Sequence, residues 1–195
     1  MIAIVDSGVA NVASVRFALE RLGVDFIVTA DPETVERSSH VVLPGVGAAA
    51  PAMARLQEKG LAECLRHLLQ PVLGICLGMQ LLFENSEEGK SRLLNIIDAS
   101  VIRFPTHKNL AVPHMGWNTV TQTDQHKLFM NIPDASYFYF VHSYFAPVGK
   151  YTLGQSCYGQ SFSAVLAQDN FFGCQFHPER SGALGLQLLA NFVSL

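Results

Sequence analysis

Residues 71–80 read Pro-Val-Leu-Gly-Ile-Cys-Leu-Gly-Met-Gln. Pro71 to Ile75 is a short apolar run bounded by proline and suits a buried strand, whereas Met79, Gln80, Leu81, Leu82, Phe83 and Glu84 are good or tolerable helix residues. Cys76 therefore falls where a strand is expected to turn into a helix. Gly74 and Gly78, two residues to either side, remove the β-carbons that would crowd so sharp a turn.

That junction sits within a wider alternation. Ile2 to Val5, Val24 to Thr29, His40 to Leu43 and Val72 to Ile75 read as strands, with helices near Val12 to Leu22 and Pro51 to Leu69 between them. A βαβ series of this kind predicts an open, mostly parallel sheet with helices on both faces. From about residue 99 the pattern changes to short β runs separated by turn residues: Ser100 to Phe104, Thr119 to Thr121, Tyr137 to Phe145, Tyr151 to Tyr158 and Phe162 to Ala167. These are expected as antiparallel additions to the sheet in the second half, before a closing helix from about Ala183 to Phe192. No repeat, low-complexity tract or linker interrupts the chain, so residues 1–195 are expected to form one α/β domain, long enough to bury about 70% of its unfolded surface.

Composition removes several classes of function. The net charge is −3 and the 13 Lys plus Arg are scattered, so there is no basic stripe for nucleic acid. Although 49% of residues are hydrophobic, no uninterrupted stretch approaches a membrane span. The start, Met1-Ile-Ala-Ile-Val-Asp6, lacks the basic opening of a signal peptide. Four cysteines without Cys-x-x-Cys spacing argue against a disulfide scaffold and against a zinc site, and point to a reducing cytoplasm.

The chemistry concentrates in two places. Gly-x-Cys-x-Gly is the thiol counterpart of the Gly-x-Ser-x-Gly nucleophile elbow: the sulfur of Cys76 would face the unpaired N–H groups and positive end of a helix, and the amide of Leu77 would point at a developing oxyanion. The second place is His177-Pro178-Glu179. If the strand from Phe171 stays extended through Pro178, His177 and Glu179 project from one face, and Glu179 holds one imidazole nitrogen while the other faces Cys76. A lone cysteine in apolar company is more often a small buried hydrophobe, and a lone histidine before proline usually means nothing. The glycine-flanked junction and the His-x-Glu at a second strand end shift that balance, because a structural cysteine needs neither. Cys64, Cys157 and Cys174 lack that context and are assigned to core or surface. His142 competes with His177 as a base, but no carboxylate lies beside it in sequence.

Gly74-Ile75-Cys76-Leu77-Gly78-Met79-Gln80 together with His177-Pro178-Glu179 resembles the class I (triad) glutamine amidotransferase family. Asn11-Val12-Ala13-Ser14-Val15 and Pro113-His114-Met115-Gly116-Trp117-Asn118 are similar, more specifically, to glutaminase subunits of imidazole glycerol phosphate synthases, and the match runs from residue 2 to the last helix. The resemblance implies a flavodoxin-like core and catalytic Cys76, His177 and Glu179. It also implies that Pro44-Gly45-Val46-Gly47 gives a second oxyanion donor, from the amide of Gly47 or of Val46, on a loop whose glycines permit a peptide flip. Gln80, Glu88, Ser143 and Tyr144 would contact glutamine, with Glu87 an alternative to Glu88. Trp117 and Asn118, in a loop between β segments, and Arg180 with Ser181 would face a (β/α)₈-barrel synthase subunit. Lysine is frequent in that family at the position of Arg180.

No metal or organic cofactor is implied. The expected reaction releases ammonia from glutamine through a cysteine thioester and passes it to the partner, which makes imidazole glycerol phosphate and AICAR for histidine biosynthesis. The alternatives are a glutaminase of another amidotransferase, a free-standing cysteine hydrolase, and a binding module without activity.

Overall fold

Ile2–Val5 (β1) is buried along its whole length, the mark of a strand covered on both faces. The computed structural model describes residues 1–8, 11–105 and 110–195. After β1 come Val12–Leu22 (α1), Phe26–Thr29 (β2), Pro32–Glu36 (α2), His40–Gly45 (β3), Ala49–Glu58 (α3), Leu61–Arg66 (α4), Val72–Cys76 (β4) and Leu77–Gln80 (α5). The next elements are Phe83–Ser86 (β5), Ser91–Arg92 (β6), Ile97–Arg103 (β7), His114–Gln122 (β8), Ser136–His142 (β9) and Tyr144–Phe145 (β10). Thr152–Tyr158 (β11), Gln160–Gln168 (β12), Phe171–Cys174 (β13) and Gly182–Val193 (α6) close the chain.

The main sheet has the order β2-β1-β3-β4-β13-β12-β11-β8-β9. Pairing is parallel from β2 across to β13, and antiparallel from β13 to β9. The expected parallel core with antiparallel additions is thus present. One apolar layer, with Leu19, Leu188, Leu189 and Phe192, packs α1 and α6 on one face; the other, with Leu56, Leu61, Leu65 and Phe83, packs α3 and α4 on the opposite face.

Four local expectations are corrected. The helix expected from Pro51 to Leu69 is two helices, because Gly60 adopts φ +71 just after α3 and its N–H closes on the carbonyl of Gln57. The helix expected after Cys76 lasts one turn: Phe83 enters β5, buried edge-on to Tyr151, and pairs with β7. Ser100 to Phe104 and the end of Tyr137 to Phe145 do not join the main sheet. They belong to a second sheet, β10-β7-β5-β6, and the run from Tyr137 breaks at Ser143, where the chain leaves one sheet for the other. Finally, His114 to Asn118 is strand rather than loop, in register with His142 to Phe138.

Candidate active site

Cys76 ends β4 and has φ 54 and ψ −111, a conformation that a residue with a side chain holds only when its surroundings impose it. The surroundings do. A β-carbon on Gly78 would lie 1.8 Å from the carbonyl oxygen of Leu43, and one on Gly74 2.6 Å from the backbone of Gly78 and Met79. The two glycines let β3 and β4 close on the turn, and the turn projects Cys76 toward the sheet's carboxyl end. Since α5 is a single turn, little macrodipole acts there; the unpaired N–H groups of Leu77 and its successors remain.

His177 follows β13, the parallel neighbour of β4. The expected extended geometry through Pro178 is not found: Pro178–Arg180 is a 3₁₀ turn. Proline at the first position of a turn lacks only an N–H that would go unused. The turn still brings Glu179 Oε1 to 2.8 Å from His177 Nδ1, with side chains 2% and 7% exposed. It is tied to β9 on both sides: the His177 N–H donates to the Tyr139 carbonyl at 2.9 Å, and the Ser181 hydroxyl donates to the His177 carbonyl while accepting the Tyr139 N–H at 3.0 Å. Ser181, expected beside Arg180 at the partner face, is instead 3% exposed with its hydroxyl turned inward, because both Tyr139 and His177 hold it there.

Cys76 and His177 line a cleft of about 330 Å³ together with Gly47, Leu77, Gln80, Glu88, Ser143 and Tyr144. Eight residues singled out in sequence therefore converge on one cavity of ligand size. Glu179 lies behind His177. Glu88, not Glu87, faces the cleft; its carboxylate accepts the N–H of Ala49 at 2.7 Å, at the start of α3, whereas Glu87 turns away to the N–H of Arg103. Both side-chain N–H groups of Gln80 are committed, to the Tyr144 carbonyl and to Gln175 Oε1, each at 2.9 Å. A bound molecule can meet Gln80 only through its oxygen. Val46, the alternative oxyanion donor, and His142, the rival base, line the cleft as well; Pro113 and Val141 also line it and were not singled out for it.

The histidines divide sharply. Burial alone lowers the affinity of His177 for a proton, but Cys76 and Glu179 beside it favour the imidazolium and raise its pKa to about 10. Among the described residues its buried Nε2 has no well-formed hydrogen bond, which leaves that nitrogen to Cys76 and to whatever Cys76 binds. His142 is pushed down to about 3 and His114 to about 4, in both cases foremost by burial. His142 Nδ1 donates to the Tyr144 carbonyl at 2.8 Å, so its Nε2 must accept, and His114 Nδ1 donates to it at 3.0 Å. A neutral ring with both nitrogens engaged is a poor rival to His177 as base.

The buried pair also gives a pH dependence. Folded His114 and His142 stay neutral from pH 6.5 down to about 4, where the unfolded chain takes up protons, so stability should fall as the pH drops through that window. The slope is up to about 1.4 kcal/mol per pH unit for each histidine. Urea unfolding at a series of pH values checks this; replacing either histidine by glutamine should flatten the slope, and an unchanged slope in both variants contradicts it.

Trp117 and Arg180 share an exposed face with Tyr139. Trp117 is 56% exposed and edge-on to the Tyr139 ring, over which the Arg180 guanidinium lies at 5.3 Å. Asn118, next along the strand, points the other way and donates to the Cys157 carbonyl. Among the described residues no cluster of three or more His, Cys, Asp or Glu is placed to hold a metal ion, and no helix is long and apolar enough to cross a membrane.

The model of the family "Glutamine amidotransferase class-I" matches residues 3–195. The chain belongs to that family. It is 49% identical over its full length to the imidazole glycerol phosphate synthase subunit HisH of Buchnera aphidicola, covering 99% of that protein. To the HisH subunit of Colwellia psychrerythraea it is 46% identical, with 98% of this chain and 92% of the relative covered. A solved glutamine amidotransferase superposes with a TM-score of 0.76 at 16% identity, over 99% of this chain and 97% of that one. A glutamine amidotransferase from Thermotoga maritima superposes with a TM-score of 0.67 at 21% identity, over 99% and 80%. At such identities these two speak for the amidotransferase fold alone.

Proposed function

We propose that this chain is the glutaminase subunit of an imidazole glycerol phosphate synthase, its 195 residues acting as one domain with glutamine as substrate. The observation that carries the reading is the meeting, at one cleft, of a strained cysteine elbow with a histidine held at 2.8 Å by a buried glutamate, in a chain 49% identical to a HisH subunit.

In this reading the Cys76 thiolate attacks the side-chain amide carbon of glutamine. The N–H of Leu77 and that of Gly47 or Val46 receive the charge on the oxygen. His177 gives its Nε2 proton to the departing nitrogen, which leaves as ammonia, while Glu179 keeps the ring oriented. A water molecule then loses a proton to the same nitrogen and attacks the thioester carbon; sulfur leaves as thiolate and glutamate is released. Gln80, through its oxygen, and Glu88, Ser143 and Tyr144 hold the amino-acid end of the substrate.

The exposed Trp117 and Arg180 supply an aromatic and an arginine anchor for the synthase partner, a (β/α)₈ barrel that uses the ammonia for imidazole glycerol phosphate and AICAR. Asn118 supports that strand from behind. The reading sets the protein in the cytoplasm, in keeping with four free cysteines.

Gly47, at φ +87, follows β3 without a hydrogen bond among the described residues that fixes its peptide. Completion of the oxyanion hole on partner binding follows from that freedom, and one missing donor costs about 10²–10³ in rate. Glutamate release should be slow for the chain alone and rise by about that factor or more with the barrel partner and its nucleotide ligand bound. A chain as fast alone as in the liganded complex would favour a free-standing hydrolase instead.

A further inference from the structure

Gln175 lies between β13 and His177 and is completely buried, yet its side chain is polar at both ends. Its Nε2 is 3.8 Å from Cys76 Sγ, and its Oε1 accepts from Gln80 Nε2 at 2.9 Å. The two ends of an amide have nearly the same shape, so the direction has to come from the network. Here the network fixes it. The Tyr144 carbonyl can only accept, and it accepts from Gln80 Nε2 and from His142 Nδ1; the Nε2 of that ring accepts from His114. Gln80 must therefore turn its nitrogen inward, where it serves the Gln175 oxygen as well, and only the Gln175 nitrogen remains to face the sulfur.

We propose that Gln175 is a further catalytic residue, whose buried amide N–H stabilises and aims the Cys76 thiolate; this rests on the reading of Cys76 as the nucleophile. As a thiol, Sγ donates to the Val141 carbonyl, at 3.8 Å. On losing its proton it can no longer do so and becomes a pure acceptor. The Gln175 N–H is then a donor already fixed against it, in addition to the imidazolium of His177. A buried donor held in place before the charge forms favours the thiolate without reorganising and fixes the direction in which its lone pair points.

The experiment uses the full chain in complex with the synthase partner, and two variants: Gln175→Met, which keeps length and removes the donor, and Gln175→Glu, which keeps shape and the contact with Gln80 but presents an acceptor to the sulfur. The readouts are the pH midpoint for alkylation of Cys76 by iodoacetamide, located by peptide mass, and kcat and KM for glutamine. Loss of a hydrogen bond to a charged group should move the Gln175→Met midpoint up by about one to two pH units. Glutamate should move it at least as far. The kcat near neutral pH should fall about 10- to 100-fold with KM changed less than about twofold. Unmoved midpoints, or a loss confined to KM, overturn the proposal. If the methionine variant does not fold, the near-isosteric glutamate variant decides alone by the same criterion. Failure of the underlying reading would look different: Cys76→Ser would still release glutamate.

Discussion

Cys76→Ser should abolish glutamine hydrolysis, a loss of at least about four powers of ten, with fold and partner binding intact. Serine matches cysteine in size and meets the same backbone demand at φ 54, so it should sit in the elbow between Gly74 and Gly78 without new strain. What it lacks is ionisation. A hydroxyl does not become an anion beside His177 at neutral pH, so the imidazolium loses the thiolate that would have faced it. The complex should still make product when ammonium salts replace glutamine, which separates lost chemistry from lost assembly. Appreciable glutamate release by the mutant would remove Cys76 from the role.

His177→Ala should cost several powers of ten in the same reaction, and His142→Ala far less. His177 is the ring with a carboxylate on Nδ1 and an uncommitted Nε2 at the cleft. Removing it takes away the proton donor for ammonia and the acceptor for water together. His142 is neutral, with one nitrogen on the Tyr144 carbonyl and the other on His114, so its loss leaves the buried His114 donor unpaired, while the Tyr144 carbonyl keeps Gln80. That penalty is of order 1–3 kcal/mol and falls on stability and on the cleft wall, not on proton transfer. Single-turnover hydrolysis of labelled glutamine, at matched circular dichroism, measures the difference; equal losses would reverse the assignment.

Much of this site could be read from sequence because its parts are local. Glycines two residues either side of Cys76 carry their own reason, and His177 and Glu179 meet within three residues whether the backbone between them is extended or coiled. That indifference explains how the pair was found although the Pro178 turn was not. What escaped reading depends on neighbours far along the chain. The helix after Cys76 stops because Phe83 has a place in the second sheet beside β7 and Tyr151, and nothing in Leu81 to Glu84 announces it. Gln175 sits in an aromatic strand end and takes its meaning from Gln80, 95 residues away. Asn118 was grouped with Trp117 as neighbours in a loop; once they lie on a strand, adjacency puts them on opposite faces.

Tyr139 stands at a mechanical junction. Its backbone carbonyl takes the N–H of His177, its N–H is held by the Ser181 hydroxyl that also clips the His177 carbonyl, and its ring carries Arg180 and Trp117 on the outer surface. A load placed on that ring reaches the imidazole through a single residue, with no side-chain relay in between. The outward face of β9 and the proton-handling end of the cleft are in this sense two ends of one short lever, and its fulcrum is a serine hydroxyl.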